Sequence, residues 1–178
     1  MLDSERPMGP TNVPVRGLHH PVEIRRDAYG APHISAMTDT DAFFALGWVM
    51  AMDRLFQMDM NRRTILGRLS ELTATDGTLA SDRLYRSLGM RQVADKMLAL
   101  LPESTMALLN AFTEGVNRWL EAHPDRREAE YLVLRLEEVA PWELTDSLAI
   151  IRLIGWQLAG DFDKELFAWD LARSVGAA

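Results

Sequence analysis

The sequence predicts a mainly α-helical chain that opens on a short β-hairpin. Three observations carry this. From Thr38 to Thr73 there is no proline, and apolar residues recur every three to four positions, the signature of one long helix. Later stretches with the same period are separated by Asp76-Gly77, Pro102, Pro124, Pro141 and Gly160, which punctuate helices. Strict alternation of apolar and polar residues is confined to the segments around Ile24 and Ile34, where it predicts two strands.

Composition narrows the classes of function. The 178 residues are 48% hydrophobic and 25% charged, globular values that argue against disorder. A net charge of −7 argues against nucleic-acid binding, which needs a basic face for phosphates. With no cysteine, disulfides, thiolate metal sites and a cysteine nucleophile are excluded together. No apolar run reaches the roughly 18 residues of a membrane span, and no signal-like apolar core follows Met1.

Residues 1–20 carry three prolines and two glycines without periodicity and read as an extended arm, with 21–178 as a single unit. His19 and His20 are adjacent, so a strand would point them apart. They are expected to face solvent rather than to pair on a metal. Pro21–Arg26 is expected to form a half-buried strand with Val22 and Ile24 on one side. Asp27–Gly30 turns the chain, and Ala31–Ala36 returns as the second strand, with His33 a hydrogen-bonded structural residue.

Thr38 or Asp39 can cap the long helix. Its stripe is Phe44, Trp48, Ala51, Leu55, Met58, Ile65, Leu69 and Leu72. Phe43, Leu46, Met50 and Phe56 fall off that stripe, so the first half is apolar around most of its girth and belongs inside a protein. Arg62 falls on the stripe and is expected to be buried and paired, because an unpaired buried charge costs several kcal/mol or more. Asp59 stands at helical ion-pair spacing from Arg62 and Arg63, and Arg63 is expected in solvent. A second helix, capped by Ser81, is expected to run to Leu101. A third carries Pro102 in its first turn and runs to His123. Residues 124–130 form a polar connection, and Tyr131–Leu134 is short and apolar, of either type. A further helix, capped by Thr145 or Asp146, extends to Gly160, and the chain is helical again from Lys164 to Arg173.

The acidic residues Asp161, Asp163 and Glu165 could offer oxygens to a hard cation, but spacing alone favours a solvated turn, and an EF-hand pattern is absent. No Gly-x-Ser-x-Gly, phosphate loop or His-Glu-x-x-His occurs, and no serine has a base at a recognisable offset. The residues by themselves show no complete catalytic constellation.

IRRDAYGAPHISA followed by DAFFALGWVMAMDRLFQMDMNRRTILGRLSEL resembles the opening of the penicillin acylase family. The matching positions include Arg26, Asp27, Tyr29, Gly30, Pro32 and His33, then Gly47, Asp53, Arg54, Arg62, Arg63, Gly67, Ser70 and Glu71. Asp82, Arg86, Gly89, Gly115-Val116-Asn117, Pro141-Trp142 and Asp146-Ser147 continue the order. The resemblance implies the α chain of a heterodimeric αββα N-terminal-nucleophile hydrolase, exported to the periplasm or beyond and cut by itself from one precursor. No catalytic residue is then expected on this chain: the nucleophilic serine begins the β chain, and its own α-amino group is the base. The resemblance further implies a structural Ca²⁺ with Glu165 among its ligands and no organic cofactor. It places one wall of the acyl pocket on Trp156, Leu158, Ala159 and Phe162. The implied substrate is a small N-acyl compound with an apolar acyl group, such as an acyl-homoserine lactone or penicillin G. A different class, a non-enzymatic helical interaction protein, competes with this reading. It requires the chain to be well folded and soluble alone.

Overall fold

The computed structural model describes residues 12–124, 129–134, 136 and 139–176. The first eleven residues of the expected arm, the middle of the expected connection at 125–128, and the Asp163 side chain lie outside the described residues. The chain is mainly helical with one antiparallel hairpin, as expected.

β1 (Glu23–Arg26) pairs with β2 (Pro32–Ser35), Glu23 opposite Ser35 and Arg26 opposite Pro32. Asp27 folds the turn by accepting the Tyr29 and Ala31 amides, each at 2.9 Å, and Gly30 adopts φ +80°, a region open to glycine. The strand is not half-buried. Every residue of β1 is exposed, Ile24 at 38%, while Ile34 opposite it on β2 is half-buried. Arg26 grips both carboxylate oxygens of Asp53, at 2.9 and 2.6 Å, which ties the hairpin to the first helix.

α1 (Asp39–Ile65) is capped by Thr38, whose hydroxyl accepts the Asp41 amide at 3.1 Å. It departs from helical geometry at Arg54 (φ −145°) and stops well short of Thr73. Gly67, at φ +63°, turns the chain into a 3₁₀ turn, Leu69–Glu71. Asp82 holds that turn by accepting the Leu69 and Ser70 amides at 2.8 and 2.9 Å. Leu69 and Leu72 therefore leave the helical stripe, although both stay half-buried.

The expected single second helix is two. α2 (Asp76–Leu88) begins at Asp76-Gly77, and Thr75, not Ser81, caps it through a reciprocal box with Thr78. Gly89 (φ +63°) breaks it from α3 (Met90–Leu98). α4 (Glu103–Ala122) has Pro102 as its cap rather than in its first turn. Tyr131–Leu134 falls at α5 (Ala129–Val133). α6 (Leu144–Ala159) is capped by Glu143, so Thr145 and Asp146 lie inside it and are buried. Gly160 (φ +50°) ends α6, and α7 (Phe162–Val175) brackets the expected Lys164–Arg173.

α1 and α4 cross at two glycines. A side chain on Gly47 would collide with the Phe112 carbonyl, and one on Gly115 with the Phe44 carbonyl. The absence of both side chains lets the backbones touch. One core gathers Ala51, Leu55, Met58, Val116, Trp119, Tyr131 and Trp142. A second gathers Ile65, Met90, Ala94, Leu148, Ala149 and Leu153. The described part of the arm is docked. The His19 amide donates to Asp41 at 2.8 Å, and the His20 Nδ1 lies 3.0 Å from its other oxygen. His20 is therefore a partner of a buried carboxylate, since Asp41, 1% exposed, needs polar neighbours, while its own side chain stays 43% in solvent. His19 keeps its exposed side chain.

Candidate functional site

Two places concentrate the residues singled out by the sequence: a buried charged knot between α1 and α6, and the exposed junction of α6 with α7. The knot centres on Arg62, 5% exposed. Its Nε donates to Asp59 at 3.1 Å and its Nη1 to Asp146 at 3.3 Å. The same Nη1 donates to the carbonyls of Ala140 and Pro141, at 3.2 and 3.0 Å. The Trp142 ring packs 5.1 Å from the guanidinium carbon. Asn117 on α4 fixes this segment at two points, accepting the Trp142 amide at 2.7 Å and donating to its carbonyl at 2.9 Å. Arg62 is buried and paired, as its place on the stripe required.

Arg63 departs from expectation. Its side chain is only 11% exposed and bridges Asp59 and Glu71, each at 3.0 Å. The 3₁₀ turn folds back over it, which helical spacing could not show. Burial raises the Asp146 carboxyl above its usual range, although hydrogen bonding by the Glu143 amide and the nearby Arg62 oppose that. At Asp41 the balance reverses. Burial again opposes ionisation, but the His19 amide, the Thr38 hydroxyl and His20 outweigh it and hold the group down to about 2. Each member of the knot is thus committed to another, and the knot offers rigidity rather than a free acid, base or nucleophile.

The junction has the opposite character. Trp156, half-buried near the end of α6, packs its ring 5.3 Å from that of Phe162 on α7. Phe162 is 46% and Leu158 82% exposed, and Ala159 is also exposed. The fold thus brings Trp156 and Phe162 together and leaves Leu158 and Ala159 open. Glu165 stands exposed one turn into α7, its amide bonded to the Asp161 carbonyl at 2.8 Å. The Asp161 side chain is engaged by Lys164 at 3.1 Å. Among the described residues no group of three or more acidic or histidine side chains converges as a cation cage. Ca²⁺ takes six to eight oxygens in general, so these residues do not by themselves fit a calcium ion, and Glu165 could supply only part of a shell. An apolar groove of about 400 Å³ also opens between α1, α4 and α6, with Phe43, Leu46 and Met50 on one side and Ile150 and Ile151 on the other. Phe43 and Leu46 fall off the α1 stripe because they line this groove.

The family model described as penicillin amidase matches residues 21–178. The chain belongs to the penicillin amidase family. It is 40% identical over 167 residues to a penicillin acylase 2 proenzyme of Pseudomonas sp. strain SE83, covering 94% of this chain and 21% of that relative. It is 34% identical over 166 residues to the acyl-homoserine lactone acylase QuiP of Pseudomonas aeruginosa, covering 92% of this chain and 19% of the relative. Among solved structures, it superposes on a thermostable penicillin G acylase from Alcaligenes faecalis with a TM-score of 0.73 and 26% identity. That match covers 86% of this chain and 82% of the other. The chain therefore spans about a fifth of the length of the curated relatives it matches.

Placed on the fold, the family pattern marks structural fasteners. Arg26 and Asp53 lash the hairpin to α1. Gly67, Ser70 and Asp82 make the turn after α1, and Arg86 donates to the Gly67 carbonyl at 2.8 Å. Gly47 and Gly115 admit the helix crossing. Asn117, Trp142, Asp146 and Arg62 tie the knot. His33 lies 3.2 Å from Asp27 on the exposed hairpin, the hydrogen-bonded histidine expected. The Asp41 latch was not foreseen from the residues. Its signal was an acidic residue in the first turn of α1 ahead of an unbroken apolar run.

Proposed function

We propose that this chain is the small α subunit of a self-processed amidohydrolase. In this reading it works only with a β chain cut from the same precursor, whose first residue is the nucleophilic serine. The observation that carries the proposal is a contrast in coverage. The chain spans about a fifth of a relative named as a proenzyme but 82% of one chain of a solved penicillin G acylase. A gene product about five times longer and a folded chain of comparable size fit a precursor that is cut. The serine hydroxyl attacks the acyl carbonyl while the chain-terminal amine, with a pKa near 8 in general, takes its proton and passes it to the leaving amine. A separate histidine is then not required.

This chain's share is recognition and rigidity. Trp156, Leu158, Ala159 and Phe162 present apolar surface for the acyl group, in keeping with their position at the α6–α7 junction. The substrates are N-acyl compounds with an apolar acyl group: acyl-homoserine lactones, β-lactams such as penicillin G, or both. The names of the relatives support each class. Glu165 offers one carboxylate to a structural Ca²⁺ whose remaining ligands come from the β chain, and no organic cofactor takes part. The complex is placed in the periplasm or outside the cell. No helix among the described residues is long and apolar enough to cross a membrane.

The test is expression of the full-length gene, followed by intact mass and N-terminal sequencing of whatever co-purifies with this chain. A larger second chain beginning with serine is expected, and the pair should release the acyl group from penicillin G or from a long-chain acyl-homoserine lactone. A single uncut polypeptide, or a mature pair that leaves both substrates intact, would overturn the proposal. Glu165→Ala should lower thermal stability or maturation more than turnover. Unchanged stability and calcium content in that variant would remove Glu165 from the metal.

A further inference from the structure

We propose that the apolar groove between α1, α4 and α6 takes the far end of a long, linear acyl tail, and that Gly155 is the sill over which the tail enters. This deepens the acylase reading above and rests on it. That reading treats aromatic and aliphatic acyl groups alike. The groove favours a tail long enough to run beyond the α6–α7 junction.

Gly155 lies inside α6 and is exposed. A side chain added there would meet nothing within 4 Å among the described residues. Glycine in a helix interior is destabilising relative to alanine, so its presence asks for a reason. Its backbone is not left-handed, and no described element crowds it as the helix crossing crowds Gly47 and Gly115. The remaining use of a missing side chain is close approach by something outside the chain.

Position points to what approaches. Ile151, Gly155 and Leu158 follow at four- and three-residue steps and share one face of α6, with Ile154 beside them. Leu158 and Ala159, one turn beyond Gly155, belong to the proposed acyl wall. Ile151, one turn before it, lines the groove together with Ile150. One face thus runs from wall to groove over about 10 Å. Ile151, Ile154 and Leu158 are all exposed along it, and Gly155 is the gap between them. A side chain at Gly155 would stand in the path.

The groove suits such a tail. Its other walls include Leu46 on α1 and Leu108 and Phe112 on α4, and none of its lining residues is charged. Its volume of about 400 Å³ falls within the roughly 300–1,000 Å³ of small-molecule sites. Each methylene moved from water into apolar surroundings favours binding, so a linear chain gains with every carbon that reaches the groove. A compact phenylacetyl group ends at the wall and gains nothing there.

The test uses the mature protein made from the full-length gene. It compares kcat/KM for N-dodecanoyl- and N-butanoyl-homoserine lactone, with penicillin G as the compact reference. The wild type should favour the dodecanoyl substrate over both by roughly tenfold or more. Gly155→Leu, and separately Leu46→Trp on the facing wall, should each lower the dodecanoyl-to-butanoyl ratio by roughly tenfold. The two variants lie on different helices, so either decides the matter if the other fails to mature. Gly155→Ala, a better helix former, should mature normally and lower the ratio less than Gly155→Leu. An active protein that prefers the short chain, or whose ratio neither variant moves, would overturn the sill and leave the acylase reading standing. An unmoved ratio is also the result expected if a side chain of another polypeptide fills the groove. A mature protein inactive on all three substrates would overturn the reading itself.

Discussion

Along α6, Thr145, Asp146, Leu148, Ala149 and Leu153 are buried, while Ile151, Ile154 and Leu158 are 57, 50 and 82% exposed. The two sets are equally apolar by residue type apart from Thr145 and Asp146, and they alternate within one helix. The buried set meets α1 and α3. Of the exposed set, Ile151 stands at the open groove between α1, α4 and α6, and Ile154 and Leu158 face outward. Hydrophobicity says that a residue is suited to burial, but only a facing element buries it. An exposed apolar face of this kind is surface suited to burial against a further element. The knot teaches the converse: Arg62 and Asp59 are charged and buried because each finds partners within reach.

The contrast between a packed bundle and an open end can be broken at several points. The largest effect is expected at the α1–α4 crossing. Gly115→Val would drive a side chain into the Phe44 carbonyl and the Trp48 amide, and since backbone cannot yield as a side chain can, a cost of about 4 kcal/mol or more is expected. The readout is soluble yield of the full-length precursor. Normal yield and maturation would show that the two helices cross at a greater distance in solution.

Arg62→Leu comes next. It leaves Asp146 in the interior without its cation and Asp59 with Arg63 alone, and removing one partner from a buried pair costs about 3–5 kcal/mol in general. Urea unfolding of the mature protein measures it. Arg63→Leu should cost less, because Glu71 is 43% exposed and can turn to water. Equal losses in the two variants would contradict the ranking of the two arginines.

At the open end the expected signature is different in kind. Leu158→Asn removes apolar surface that this chain does not bury, so the stability of the bundle in urea should change by less than about 0.5 kcal/mol. The KM for an apolar acyl substrate should rise by roughly tenfold, the scale of a hydrophobic pocket contact. A shifted midpoint with unchanged KM would move Leu158 from the pocket to the fold.

The smallest effect concerns pH. The Asp41 carboxyl is held at about 2 in the fold, below the roughly 3.9 of an unfolded chain. Its stabilising contribution is therefore complete above about pH 4 and is lost as pH falls toward 2. Asp146 has the opposite sign: its raised value favours the fold most at acid pH and less as pH rises through the carboxylate range. Asp41→Asn should flatten the acid limb of a stability profile. An unchanged limb would mean that the His19–Asp41 latch is open in solution.

Part of this was legible in the residues. The apolar recurrence through Phe44, Ala51, Leu55, Met58 and Ile65 located α1 and its buried face, and alternation around Ile24 and Ile34 located the hairpin. Element ends were less legible. Ser81 and Thr145 have the chemistry of caps, yet Thr75 and Glu143 do the capping, because a cap is chosen by where the preceding chain is anchored. Gly67 ended α1 early for the same reason, with Asp82 waiting to receive the Leu69 and Ser70 amides. The site residues were named through the family pattern, since no spacing of their own marks Trp156, Leu158, Ala159, Phe162 or Glu165 as functional.

What the sequence determined by itself is whatever depends on neighbours three or four positions apart: helix periods, the hairpin, and the need of Arg62 for carboxylates. The tertiary structure alone decided that Arg63 would be covered, that Gly47 and Gly115 would meet backbone, that Asp41 would latch the arm, and that the apolar residues of α7 would stand exposed among the described residues. Those outcomes depend on contacts between segments distant in the chain. No local pattern encodes which surfaces such contacts will close and which they will leave open.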